Sequence, residues 1–191
     1  MSKNRLEAFS DGVLAIIITI MVLELDVPEE PTLAALAPLI PVLLSYVLSF
    51  VFLGIYWNNH HHLLQAADSV DGRVLWANLH LLFWLSLVPF TTTWMGQNNF
   101  ADLPVALYGV DLLLAAVAYF ILVRALLSLH GQNSTLAQAL DRDIKGKISL
   151  YIYVAAIPLA FLSPLLAGML YVLVAVIWLV PDRRIENRLR R

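Results

Sequence analysis

The side chains of this chain that could carry chemistry are few, and they cluster. Ser10 and Asp11 stand side by side. Trp57, Asn58 and Asn59 lead into three consecutive histidines, His60, His61 and His62, and Asn78 and His80 follow. Asp111 stands alone in a long apolar stretch. Three chemistries suit these groups. Imidazole and carboxylate are metal ligands. Imidazole also titrates near neutral pH and would serve a proton relay. Where water is absent, carboxylate, imidazole, amide and hydroxyl would instead satisfy one another as a structural knot. Adjacent histidines on a helix diverge by about 100°, and no pair has the i, i+4 spacing that aims two rings at one ion. The knot is therefore the preferred reading, the relay second and a metal site last. No Ser/His/Asp constellation at matching depth, no His-Glu-x-x-His and no phosphate-cradling glycine loop occurs, and there is no cysteine. An enzyme is not expected, nor a cofactor.

The elements that would position these groups follow from the charge pattern. Of 191 residues, 60% are hydrophobic and 14% charged, against about 45–50% and 25% in soluble domains. No charged residue occurs from Pro31 to Ala67, from Val74 to Ala101 or from Ile148 to Pro181. Such runs read as transmembrane helices, and the alternation of a β-barrel is missing. The fold class is all-α integral membrane protein, a single domain over residues 1–191 with no separate soluble part. Six spans are expected: Phe9–Leu25, Pro41–Leu63, Leu75–Trp94, Leu103–Val123, Ile148–Leu162 and Pro164–Val180. The first is read as a retained helix rather than a signal peptide. The last two divide one run that is too long for a single span, and Ser163-Pro164 offers the break. Leaving it whole gives five spans.

Basic residues decide between five and six. With six spans and both termini inside, all twelve Lys and Arg fall inside: Lys3, Arg5, Arg73, Arg124, Arg142, Lys145, Lys147, Arg183, Arg184, Arg188, Arg190 and Arg191. The outer loops, around Asp26 to Pro38 and 96–104, hold none, as the positive-inside rule requires. The loop from His130 to Lys147 reads as a short surface helix, capped at Ser134 or Thr135 with Leu136, Leu140 and Ile144 repeating every four residues. The same topology brings Ser10 and Asp11, the 57–62 cluster, Asn78 and His80 to one depth near the inner face. Asp111 lies apart, facing Tyr or Trp donors or an ion path.

The first helix carries a second pattern. Gly12, Ile16, Thr19 and Leu23 are spaced i, i+4, i+7 and i+11 and share one face, opposite Ile18 and Val22. A small residue, branched apolar residues and one hydroxyl suit close helix packing. They also suit a narrow pore that gates by excluding water. Spacing alone favours packing.

“RLEAFSD”, Arg5 through Asp11, resembles the Arg-x-x-x-Phe-Ser-Asp signature that opens the first helix of the transmembrane protein 175 family, the lysosomal potassium channels of animals and their single-repeat prokaryotic relatives. The likeness continues in “WNNHH”, Trp57 to His61, and in “WANLHLLFWLSLVPF”, Trp76 to Phe90. The single signature copy fits the prokaryotic form. The resemblance implies a homotetramer of six-helix subunits that conducts K⁺ passively, with no carbonyl filter and the first helix of each subunit lining the pore. It assigns the apolar constriction and its threonine layer to Ile16, Thr19 and Leu23. It assigns helix-anchoring polar contacts to Arg5, Phe9, Ser10 and Asp11, with Trp57, His60, His61 and Asn78 as partners. Glu24 and Asp26 then sit at the outer mouth, where acidic groups attract cations. K⁺ in transit, membrane lipid and three further copies are the expected partners, with no nucleic acid and no bound metal. The plasma membrane is the expected location. A proton-coupled carrier using His60, His61 and Asp111 is the alternative.

Overall fold

The computed structural model describes residues 2–131 and 144–179. The expected surface helix from Ser134 to Leu140, Arg142 and the arginines from Arg183 to Arg191 lie outside the described residues. Helix α1, Lys3–Leu23, has 21 residues and rises about 32 Å, the thickness of a bilayer's hydrocarbon. It begins six residues earlier than expected, so the polar signature lies inside the helix. The segment before the next span is not all loop. Thr32 caps a short helix α2, Leu33–Leu36, and a 3₁₀ turn, Ala37–Leu39, runs on into α3, Ile40–Gln65. Prolines at 38 and 41 fall at helix starts, where no amide partner is lost.

Asp71 caps α4, Gly72–Gln97, by accepting from the Val74 amide at 2.9 Å. The turn after it passes through Asn99 and Phe100, both left-handed at φ 50° and 58°, into α5, Asp102–His130. The expected break is present. Helix α6, Ile144–Ala160, stops short of Ser163, and α7, Pro164–Leu179, starts on the proline. Four helices, α1, α3 with its lead-in, α4 and α5, are long and apolar enough to cross a membrane. The α6–α7 pair is shorter, at 17 and 16 residues. Among the described residues there is no strand.

Helix α4 is central and packs against α1, α3 and α5, while α6 and α7 pack on the far side of α5 and α3. Two cores result. One joins α1, α3, α4 and α5 through aliphatic side chains such as Leu14, Leu64, Leu81 and Leu122. The other fills the space among α3, α5, α6 and α7 with tyrosines set against alanines, Tyr108, Tyr153 and Tyr171 facing Ala156, Ala160 and Ala167. Gly109 lets this second core close, because a methyl group there would overlap the Tyr171 ring.

Candidate functional site

Helix α1 is fastened along one face. Leu6, Ser10, Leu14, Ile17 and Met21 are buried, the i, i+4, i+8, i+11 spacing of one helical stripe. At Ser10 that stripe becomes polar. His60 Nε2 donates to Asn78 Oδ1 at 2.7 Å, Asn78 Nδ2 donates to Ser10 Oγ at 2.9 Å, and Ser10 Oγ donates to the Leu6 carbonyl at 2.8 Å. All three residues are at most 1% exposed. The chain of donors ties α3, α4 and α1 together where no water competes.

A second set of contacts runs along the flank. Asp11 accepts from the Trp57 indole at 3.1 Å, and His61 Nδ1 meets Glu7 Oε1 at 3.2 Å. At the start of α1, Lys3 Nζ donates to the Ala67 carbonyl at 2.9 Å, a cation at the carboxyl end of α3, where the helix dipole favours it. The three histidines thus point three ways, as 100° steps require. His60 faces α4, His61 faces α1, and His62 leaves its Nδ1 without a hydrogen bond. Of the partners named by the resemblance, Asp11 meets Trp57; the carboxylate–imidazole pairing expected from the residue types is corrected, since the carboxylate beside His61 is Glu7. His80 lies outside this group and accepts from Trp84 on its own helix at 3.0 Å. Arg5 and Phe9 are exposed, on the other side of α1 from Ser10. Among the described residues no three histidine or carboxylate side chains converge.

Asp111 belongs to a separate cluster. It is 3% exposed, accepts from Thr91 at 2.9 Å and leaves its other oxygen unbonded. The expected Tyr or Trp donor is not the one found. Tyr108 turns instead to Ser49, at 3.0 Å, which also bonds Thr92.

The opposite face of α1 is largely uncovered in the protomer, with only Ile16 and Glu24 bordering a shallow groove against α4. Ile16 is 59% and Leu23 79% exposed, Thr19 is exposed, and a methyl group on Gly12 would meet no atom within 4 Å. At 100° per residue this stripe lies about 150° around the helix from the buried one. Thr19 donates its hydroxyl proton to the Ile16 carbonyl at 2.9 Å, so its oxygen lone pairs remain open to a cation. Glu24 caps α1, and Asp26 follows; both are exposed. Of Ile18 and Val22, expected opposite the stripe, Ile18 lies about 130° from it, beside the buried face, and Val22 lies about 90° away, on its flank. Ile18 packs partly on the first core, and Val22 is 46% exposed.

Sequence reasoning missed Glu7, Lys3 as a tie to α3, and His130. The last accepts from the amides of Asp68 and Ser69 at 3.0 and 3.2 Å, holding the end of α5 to the α3–α4 loop. An acidic residue four before Asp11 on the same helix was the available signal for Glu7.

Comparisons with known proteins bear on the same segment. Residues 5–89 match the family described as endosomal/lysosomal potassium channel TMEM175. A potassium channel of Chryseobacterium sp. (strain P1-3) is 55% identical over 190 residues, 100% of this chain and 99% of that protein. The crystal structure of a lysosomal potassium-selective channel TMEM175 homolog from Chamaesiphon minutus superposes with a TM-score of 0.81 at 26% identity, covering 93% of this chain and 96% of that one. The endosomal/lysosomal proton channel TMEM175 of Danio rerio is 28% identical over 68% of this chain but only 25% of its own length.

Proposed function

Because this chain belongs to the TMEM175 family, we propose that it is one subunit of a homotetrameric, potassium-selective channel in which α1 lines the pore. The observation that carries this reading is the pair of faces on α1. One face is locked to α3 and α4, and the other leaves Gly12, Ile16, Thr19 and Leu23 largely exposed in the protomer. A mid-helix glycine costs about 1 kcal/mol against alanine, and no neighbour within the protomer requires Gly12. Close approach of another copy gives it a purpose. A single pore helix per subunit needs symmetric closure.

In this arrangement four Ile16 side chains form an apolar ring that narrows and dewets the path. The Thr19 oxygens form the next layer and replace part of the ion's hydration. Leu23 follows, and Glu24 and Asp26 gather cations at the outer mouth. Ser10, Asn78 and His60, with Asp11–Trp57 and Glu7–His61 beside them, hold the helix at its angle. Conduction is passive and needs no cofactor or catalytic step. Residues 1–191 act as one domain in the plasma membrane, α6 and α7 crossing as a short hairpin. The absence of Lys and Arg from the segments 26–38 and 96–104 supports termini on the cytoplasmic side.

The zebrafish relative's name favours a second reading, proton permeation. Recordings from purified protein in bilayers separate the two. The reversal potential should follow the K⁺ gradient and ignore a pH gradient; the opposite result would replace potassium with protons. Ile16→Asn should hydrate the ring, raise conductance and weaken discrimination between K⁺ and Na⁺. Silent Ile16→Asn and Thr19→Val variants would return the stripe to simple helix packing.

A further inference from the structure

A cavity of about 880 Å³ opens between α3, α5, α6 and α7, away from α1. Its walls are apolar and aromatic, with Phe52, Tyr56, Phe120, Val123, Tyr153 and Trp178 among them, and no carboxylate is among its described lining residues. Arg124 and Lys147 also line it, Arg124 midway along the α5 wall with the more polar Ser128 and Gly131 beyond it. The Arg124 guanidinium lies 5.0 Å from the centre of the Phe120 ring, so the cation rests on the cavity wall. Among the described residues neither Arg124 nor Lys147 has a carboxylate partner.

The apolar half of the cavity fits inside one membrane leaflet. Along α5 its lining runs from Ala116 to Gly131, and the stretch from Ala116 to Arg124 rises about 12 Å. The hydrocarbon of one leaflet is about 15 Å deep. Counting from Asp102 at the start of α5, the hydrocarbon ends after about 20 residues, which puts Arg124 at the headgroup level. A soluble anion would leave the apolar depth empty. A zwitterionic lipid would leave two cations without a net charge to meet. The chain's own carboxyl-terminal segment, with Arg183, Arg184, Arg188, Arg190 and Arg191, is repelled by the same cations.

We propose that this cavity binds one anionic phospholipid per protomer, an acyl chain lying among α3, α5 and α6 and the phosphate meeting Arg124 and Lys147. Basic pockets between membrane helices take anionic headgroups by this chemistry. The site is independent of the pore, and its readout is lipid retention rather than current.

The test is native mass spectrometry of the purified protein in detergent, titrated with phosphatidylglycerol or phosphatidylcholine. Phosphatidylglycerol should bind up to one per protomer and in preference to phosphatidylcholine, with added inorganic phosphate failing to displace it. Arg124→Gln and Lys147→Gln should each weaken it about fivefold, and together about thirtyfold, while Arg124→Lys keeps most of the affinity. Ala116→Trp, which fills the apolar end without touching charge, should expel both lipids. Unchanged gel-filtration elution certifies that the variants are folded. Arg73→Gln, basic but outside the cavity, should bind as the parent does. Equal loss from Arg73→Gln and Arg124→Gln, or displacement by phosphate, would overturn the proposal. So would an Ala116→Trp variant that binds like the parent.

Discussion

Helix α1 has two faces, both rich in apolar side chains, of opposite use. One carries Leu6, Leu14, Ile17 and Met21, at most 4% exposed; the other carries Phe9, Ile16 and Leu23, between 49% and 79% exposed. In water such a helix would bury both. In a bilayer the lipid is as apolar as leucine, so hydrophobicity does not sort the faces. Fit and polar ties do. The buried face owns the hydroxyl that completes a hydrogen-bond chain through Asn78 to His60. The other owns a glycine and a hydroxyl with open lone pairs. One face attaches the helix; the other is left to be presented.

The strongest way to break this division is to cut the attachment. Asn78→Leu keeps the volume of the side chain but strands the His60 Nε2 proton, a buried group worth about 1–3 kcal/mol unsatisfied. It also removes the only donor to the Ser10 oxygen among the described contacts. We expect a large loss of folded protein, read as a drop in detergent thermal stability, with unchanged ion preference in the surviving fraction. A stable Asn78→Leu protein with altered selectivity would merge the two faces into one function. Asp11→Ala should do less, because the pair it loses with Trp57 is only partly buried.

That ranking shows what was legible in the sequence. Charge-free runs and one proline gave the helices, because lipid permits few alternatives to a continuous helix and proline ends one. The stripe through Ile16, Thr19 and Leu23 was legible as a face, since spacing alone fixes which residues share it. Its exposure was not, because that depends on what surrounds the helix. Partners were harder still. Which histidine meets α1 depends on the rotation of α3, a few tens of degrees that no local pattern records. Residue types alone matched Asp11 to imidazole, the resemblance named Trp57 in a group of four without pairing it, and Glu7 was overlooked. The donor to Asp111 was missed for the same reason: Thr91 reaches it from α4, a helix whose rotation against α5 is set by packing along its whole length.

A paired truncation sharpens the comparison next. Leu14→Ala opens a void in the first core and should cost about 2 kcal/mol, the low end for a buried leucine, because the lipid reference removes most of the transfer term. Leu23→Ala removes the same atoms from the presented face. It should leave thermal stability nearly unchanged and alter conductance. If both variants lowered stability equally, Leu23 would be packing against another copy rather than lining a path for ions.

The smallest effect is expected where α1 ends. Glu24 caps the carboxyl end of the helix, where the dipole disfavours a negative charge by about 0.3–1 kcal/mol. Asp26 adds a second exposed carboxylate two residues on. Neither has an ion-pair partner among the described residues, so nothing structural within the protomer repays that cost. Cation gathering would. Neutralising both, Glu24→Gln with Asp26→Asn, should therefore leave the fold equally or slightly more stable while reducing current. The reduction should depend on salt. At about 0.01 M the Debye length is ~30 Å and the carboxylates act across the whole mouth; at about 1 M it is ~3 Å and their reach is gone. We expect conductance to fall about twofold at the lower concentration and to match the parent at the higher one. A loss of the same size at both concentrations would mean that the substitutions had disturbed the end of α1 itself, and Glu24 would then belong with the attaching face of the helix rather than the presented one.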